Sequence, residues 1–444
     1  MVSKAQEIEV IVIGAGCSGL TALKALLDQG INNVLCLEQN DDIGGNWYYS
    51  GSLAHSSVCE TTHIISSKKL SEFADFPMPD EYPDYPSHAQ VLQYFKNYAR
   101  EFGLYEYIRC ETKVISAKPI SGGVWRVESD NGIWHAKYLL VCNGHHAEPR
   151  HPELPGDFNG AYLHAHAFKN NKPFIGKKVL VLGAGNSACD CAVECSRVAE
   201  AVDISIRRAQ YIIPKFMMGK PTDSFNSRTL WMPSFVLNPL RRLFLRLQIG
   251  AYSSYGLDEP DFPVSADHPT INSELLYQMR HGKVTRRKAI KRIQGQRVYF
   301  EDGYEAEYDV MIAATGYQIA TPFFDKNLID FEDSDRVELY LRMFHPAHKN
   351  LIFIGLVQPQ GAIWPLSELQ SKIVAAYIAG IYRLPEDMQI RAKSEADEIN
   401  KYFLKSKRNV LEVDFHLFRK RLTKELHIRV QKSKNLTYAN GASI

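Results

Sequence analysis

Three glycines in the run Gly14-Ala15-Gly16-Cys17-Ser18-Gly19, followed downstream by an acid at Glu38, can hold a phosphate anion and a ribose. Gly14 permits a sharp turn, Gly16 lets a pyrophosphate approach the backbone, and Gly19 lets a helix and a strand pack closely. A helix that starts there offers unpaired N–H groups and the positive end of its dipole, and both attract the anion. Glu38 is placed to accept hydrogen bonds from a ribose, and an acid there favours an unphosphorylated sugar, as in FAD or NAD. The pattern returns in Gly183-Ala184-Gly185-Asn186-Ser187-Ala188, with alanine in the third glycine's place. Its second strand leads to Arg207-Arg208 and not to an acid. Two guanidinium groups suit a 2′-phosphate. Charge-assisted hydrogen bonds of about 1.5 to 3 kcal/mol each would let one arginine favour NADPH over NADH by roughly ten- to a hundredfold.

The elements around these residues are those the chemistry needs. Residues 10–13 form a short apolar run rich in β-branched side chains, 20–28 have helix-like composition, and 34–37 supply a strand that ends on Glu38. Strand, tight turn, helix and strand make one dinucleotide-binding βαβ unit. Residues 178–182, the second glycine run, a helix to about residue 199 and a strand over 202–206 make another. Between them 112–117, 123–128 and 132–138 alternate like antiparallel strands, and 139–142 run into Asn143-Gly144 as a return to the parallel sheet. A similar pair, 291–293 and 297–301, precedes 310–314 and Thr315-Gly316. The expected fold is α/β, with two Rossmann-like dinucleotide-binding domains and the NADP domain inserted into the FAD domain. The expected boundaries are 1–168 for the first part of the FAD domain, 169–304 for the NADP domain, and 305–444 for the rest of the FAD domain with C-terminal helices.

A chain of 444 residues exceeds what one hydrophobic core usually serves, which agrees with two domains. The formal net charge of +2 argues against a nucleic-acid binder, which needs a concentrated basic excess, and points to a small-molecule partner. Eight cysteines, Cys17, Cys36, Cys59, Cys110, Cys142, Cys189, Cys191 and Cys195, contain no C-x-x-C pair and no His/Cys cluster at zinc spacing. They read as reduced, mostly buried thiols of a cytoplasmic protein without a metal site. The N-terminal stretch lacks the features of a signal peptide, and no apolar run approaches the roughly 20 residues of a transmembrane anchor. A flavin and a nicotinamide in one chain need only their reacting atoms about 3 to 3.5 Å apart, so no dedicated catalytic side chain is assigned. No redox-active cysteine pair waits for the electrons. Molecular oxygen is the simplest remaining acceptor.

Further motifs give the sequence a resemblance to the flavin-containing monooxygenases over nearly its whole length, in the form of a soluble, bacterial-type member. Phe158-Asn159-Gly160-Ala161-Tyr162-Leu163-His164-Ala165-His166-Ala167-Phe168 matches the family's F-x-G-x-x-x-H-x-x-x-[YF] identifier. Ile43-Gly44-Gly45-Asn46-Trp47, Tyr85-Pro86-Ser87-His88, Ala314-Thr315-Gly316-Tyr317 and Gly355-Leu356-Val357-Gln358-Pro359-Gln360-Gly361 resemble its G-G-x-W, Y-P-S-H, A-T-G-Y and late flavin-side segments. The resemblance implies that Gly45, Trp47, His55 and Gln360 neighbour the flavin, and that Asn186, Ser187, Arg207 and Arg208 neighbour NADP. It implies that His164 belongs to a linker coupling the domains and is not a proton donor. It further implies that NADPH reduces FAD, that oxygen adds as a C4a-hydroperoxide, and that a soft nitrogen or sulfur nucleophile takes the distal oxygen as an N-oxide or S-oxide.

One position departs from the family. Its usual asparagine beside the flavin falls on Ile65, whose side chain cannot hydrogen-bond. Ser66 or His63 then compensates, the alignment slips by a residue or two, or the peroxide is less protected. Baeyer–Villiger oxygenation of ketones stays open, although dedicated enzymes of that type end the identifier with Trp followed by Pro or Asp, where this chain has Phe168-Lys169. A non-catalytic flavin and NADP redox sensor is the third reading, and a homodimer is the assembly to test. In 239–249, Leu240, Leu243, Phe244 and Leu247 share one helical face. That face is expected to dock on its own domain, with attachment to anionic lipid as the alternative.

Overall fold

The strand Gln6–Ile13 stands at the centre of the first sheet because its second half, from Val10 onward, is a continuous apolar run buried on both faces. The computed structural model, which describes residues 5–50, 56–229, 232–332, 334–404 and 409–440, pairs this strand in parallel with Val34–Leu37 on one side and Gly132–Val141 on the other. Gly132–Val141 is one long strand and not two. Its first half pairs antiparallel with Val124–Ser129, and its end takes Leu351–Phe353 as a parallel neighbour. Val114–Ile120 completes the meander. Ile11, Trp125, Val127, Leu139 and Phe353 form the core of this sheet. The helices Cys17–Asp28 and Trp364–Ile378 meet through polar side chains, with Ser18 Oγ 3.1 Å from Ser367 Oγ and Thr21 Oγ1 3.0 Å from Ser371 Oγ.

The second sheet is wholly parallel, in the order Thr285–Arg287, Ala201–Ser205, Lys178–Leu182, Val310–Ala313, Ala161–His164. Helix Asn186–Ser196 packs its cysteines and alanines into the core of this sheet. An antiparallel set, Ile290–Gln294, Arg297–Phe300 and Glu305–Glu307, follows the edge strand Thr285–Arg287 in the chain.

The chain divides into two units, one of Met1–Tyr48, Lys68–His145 and Ile319–Ile444, the other of Tyr49–Ser67 and His146–Gln318. These limits correct the boundaries expected at 168 and 304. Val310–Ala313 pairs with Lys178–Leu182 and so belongs to the second sheet. Glu148–Pro149 then pairs with Tyr317–Gln318, so the chain enters and leaves the second unit side by side. The identifier 158–168 is therefore not a linker. Its residues Ala161–His164 are an edge strand of the second sheet, and Ala165–Ala167 a short turn after it. Propensity could not show this, because a strand's partner is a long-range choice.

Helix Ser234–Ile249 also corrects an expectation. Leu237 and Leu245 are the buried positions, whereas Leu243, Phe244 and Leu247 are exposed together with Phe235 and Val236. No described helix is long and apolar enough to cross a membrane.

Candidate dinucleotide sites

In the first unit the glycine turn is shaped by close backbone contacts. Gly14 has φ +99°, a conformation that side chains disfavour, and a Cβ on Gly19 would stand 1.9 Å from the Gly14 carbonyl oxygen. Gly16 precedes helix Cys17–Asp28 without any side-chain cap, which leaves the first N–H groups of the helix to a ligand. Glu38 is buried. One carboxylate oxygen accepts from the Ala15 N–H at 2.7 Å and the other from the Asn40 N–H at 2.9 Å. Desolvation raises its pKa, and these backbone donors pull it back down. Each oxygen keeps a lone pair for a ribose hydroxyl.

The segment expected beside the flavin comes to the same place. The Gly44 N–H donates to the Ala15 carbonyl at 3.1 Å, and a Cβ on Gly45 would meet the Gly16 Cα at 2.9 Å. Trp47 stands edge-on to Trp364, with ring centroids 5.7 Å apart, at the start of helix Trp364–Ile378. The Gln360 N–H donates to the Val413 carbonyl at 3.1 Å, four residues before that tryptophan in sequence. Gly14, Gly16, Gly19, Glu38, Gly45 and Trp47 thus gather around one turn, and Gln360 lies on the segment leading to Trp364. His55 lies outside the described residues. These features fit a bound FAD: two glycine segments face each other at backbone contact distance, a helix start is uncapped, and an acid is fixed at the strand end.

In the second unit Gly183 has φ +129°, and a Cβ there would stand 2.4 Å from the Ala314 carbonyl oxygen. Gly185 precedes helix Asn186–Ser196 without a side-chain cap. Asn186 is engaged through its Oδ1, which accepts from the Ile271 N–H at 2.7 Å, while Ser187 is exposed. Arg207 and Arg208 follow strand Ala201–Ser205, are exposed, and pair with no carboxylate among the described residues. A phosphate there would displace no existing ion pair, so the second turn fits NADPH.

Sequence reading missed the strap over this turn. Thr270 Oγ1 donates to the Ala184 carbonyl at 2.6 Å, and Asn272 Nδ2 donates to Asp190 Oδ1 at 2.9 Å. Burial pushes Asp190 up to about 6. Nothing in the local sequence 270–272 marks it, because its partners lie far away in the chain.

His164 is buried at a strand end, where its Nδ1 accepts from the His166 N–H at 3.1 Å. Tyr317 and His151 stand near it, with ring centroids at 5.4 and 5.5 Å. Desolvation, helped by His151 and His166, lowers its pKa to about 4, so the ring is a neutral imidazole near neutrality. Ile64 is buried while Ile65 is exposed on a bend, and Ser66 follows at intermediate burial. His63 is exposed, its Nδ1 2.9 Å from the Thr61 carbonyl. All eight cysteines are free thiols. Burial pushes Cys17 and Cys110 up to about 11 and Cys195 up to about 12, which keeps these sulfurs protonated.

Two glycine turns in separate sheets, one finished by an acid and one by arginines, fit a flavoprotein that also takes a nicotinamide dinucleotide. The profile of the family described as flavin-binding monooxygenase-like matches residues 7–435, and the chain belongs to that family. It is 35% identical over 431 residues to flavin-containing monooxygenase 5 of Rattus norvegicus, covering 91% of this chain and 80% of that protein. It is 34% identical over 405 residues to dimethylaniline monooxygenase (N-oxide-forming) 2 of Oryctolagus cuniculus, covering 85% of this chain and 74% of that protein. Among solved structures, S-allyl-L-cysteine S-oxygenase from Allium sativum has a TM-score of 0.71 at 22% identity, covering 98% of this chain and 94% of its own. Cyclohexanone monooxygenase from Rhodococcus sp. Phi1 bound to NADP+ has a TM-score of 0.73 at 18% identity, covering 96% and 98%. The structural likenesses support an α/β fold with FAD and NADP domains of Rossmann type. The enzyme is an NADPH-dependent flavin-containing monooxygenase with FAD and NADPH as cofactors.

Proposed function

We propose that the enzyme transfers one atom of molecular oxygen to a soft nitrogen or sulfur nucleophile and releases an N-oxide or S-oxide. The observation that carries the reading is the pair of finished dinucleotide turns in a chain whose thiols are free and, at Cys17, Cys110 and Cys195, held protonated by burial. Bound FAD, reduced by NADPH, supplies the oxygen-activating chemistry. The chain's residues bind and orient. Gly14, Gly16 and Gly19 hold the FAD pyrophosphate, Glu38 its ribose, and Gly45, Trp47 and Gln360 its flavin side. Gly183, Gly185, Asn186 and Ser187 hold the NADP pyrophosphate, and Arg207 and Arg208 the 2′-phosphate. Ile65 offers no hydrogen bond, so Ser66 beside it is the polar neighbour proposed for the oxygen chemistry.

The names of two relatives, one N-oxide-forming and one an S-oxygenase, support the heteroatom class. The cyclohexanone monooxygenases among the structural neighbours support ketone oxygenation as the second reading. A product screen by mass spectrometry separates them. NADPH consumption stimulated by amines or sulfides and matched by oxides is expected, whereas esters or lactones from ketones with no oxide would establish the second. The free thiols suit a cytoplasmic, reducing setting. Light scattering on the purified enzyme tests a homodimer.

A further inference from the structure

The residue after the identifier, Lys169, is buried, and it holds the segment 56–60 through both its side chain and its backbone. Its Nζ donates to the Ser56 carbonyl at 2.5 Å and to the Val58 carbonyl at 3.4 Å. Its own carbonyl accepts from the Glu60 N–H at 2.8 Å and from the Tyr49 hydroxyl at 3.5 Å. No carboxylate among the described residues pairs with it. A buried ammonium held by carbonyls is costly, and an alkyl side chain would fill the same space without that cost. What an alkyl chain could not do is fix those two carbonyls.

The location of the held segment shows what it could serve. Tyr317, just beyond strand Val310–Ala313, shares a side-chain hydrogen bond with Ser57. Cys59 packs in one core with Cys191 of helix Asn186–Ser196, the helix that starts at the second glycine turn. Residues 57–59 therefore lie near the carboxyl end of Val310–Ala313 and in the core shared with the helix that opens at the second glycine turn. In a parallel sheet of this kind the ligand crevice opens at the carboxyl ends where strand order reverses, here between Lys178–Leu182 and Val310–Ala313. Arg207 and Arg208 claim the 2′-phosphate on the Ala201–Ser205 side of that crevice. The other half of the dinucleotide must then extend toward Val310–Ala313, where the held segment waits.

We propose that Lys169 is a positioning residue for the nicotinamide half of NADPH, acting by pinning 56–60 as a wall of the second unit's ligand crevice. The assignment rests on the NADPH-dependent reading above. It acts through that segment and not through the 2′-phosphate.

The test uses FAD-loaded enzyme and the variants Lys169→Met, Lys169→Arg and Tyr317→Phe, with NADP+ and NAD+ binding followed by calorimetry and KM and kcat measured for NADPH and NADH. Lys169→Met is expected to weaken the phosphorylated and unphosphorylated dinucleotides by the same factor, about tenfold, with FAD content unchanged. Lys169→Arg, which still donates to both carbonyls, is expected to stay within about threefold of the parent. Tyr317→Phe, which loses only the Ser57 contact, is expected to show the same equal losses in smaller degree, and it serves as the probe if Lys169→Met fails to fold. Unchanged affinities in folded Lys169→Met, a loss confined to NADPH, or no rescue by arginine would overturn the assignment while leaving the enzyme's reading intact. Parent enzyme that binds no NADP+ would instead remove the reading beneath it, and the assignment with it.

Discussion

The two glycine turns begin alike and are finished differently. Each follows a buried parallel strand, each opens an uncapped helix, and each has its first glycine in a backbone conformation that side chains disfavour, pressed against a neighbouring carbonyl. At the third glycine position they part. Gly19 leaves no space for a methyl group, whereas Ala188 carries one in the core of its own sheet. They part again at the end of the second strand, where Glu38 is buried and held by backbone donors and Arg207 and Arg208 are exposed without carboxylate partners among the described residues. The shared features suit the pyrophosphate that both cofactors have. The differences suit the unphosphorylated ribose of FAD at one turn and the 2′-phosphate of NADPH at the other.

The largest effect is expected where the turns differ in room. Gly19→Ala puts a methyl carbon 1.9 Å from a backbone oxygen, so the turn must open. The variant should lose more than about 4 kcal/mol of stability and emerge without flavin colour, as read from thermal melting and the absorbance per chain. Flavin content equal to the parent's would mean the turn is not the FAD cradle. Next comes the arginine end. Arg207→Ala should weaken NADPH by roughly ten- to a hundredfold and leave NADH within about twofold, in steady-state KM values. Equal losses for both would detach that residue from the 2′-phosphate.

Glu38→Gln sharpens the other end, because an amide keeps one accepting oxygen for two backbone donors and a ribose. FAD should bind about tenfold more weakly, measured by reconstitution of stripped enzyme, and unchanged affinity would argue against the ribose contact.

Acid should act on both units. Burial lowers His164 in the second unit and His345 in the first to about 4 from the ordinary 6.5. Between those values the unfolded chain binds more protons than the folded one. The contribution of these histidines is therefore complete above about pH 6.5, falls as pH drops toward 4, and stays flat below that. Denaturant melts at about pH 7.5 and 5 should show the loss, and replacing His164 with Asn should reduce it. A midpoint that does not move with pH would refute the claim. Ala188→Gly should have the smallest effect on the cofactors, about 1 to 2 kcal/mol of stability lost to helix entropy and the buried methyl, with NADPH affinity unchanged.

Much of this comparison was legible in the residues alone, because glycine spacing and a terminal acid or arginine are local signals. The strand 178–182 and the acid-ended strand 34–37 sit where periodicity puts them. Partnership was not legible. Nothing in 310–313 says that it pairs with 178–182, nor anything in 49–67 that it belongs to the second unit. The outward Leu243 and Leu247 show the same limit, since an apolar stripe tells which residues share a face but not whether anything covers it.

The meeting of Glu148–Pro149 with Tyr317–Gln318 would ordinarily make the second unit easy to excise and transplant, its two ends being joined like the neck of a purse. The excursion 49–67 removes that freedom. A fragment cut at the neck would keep the arginines and the glycine turn yet leave behind residues 56–60, which Lys169 grips. Gene shuffling with this chain is thereby constrained: the unit that carries the second glycine turn travels only with a piece of the flanking sequence.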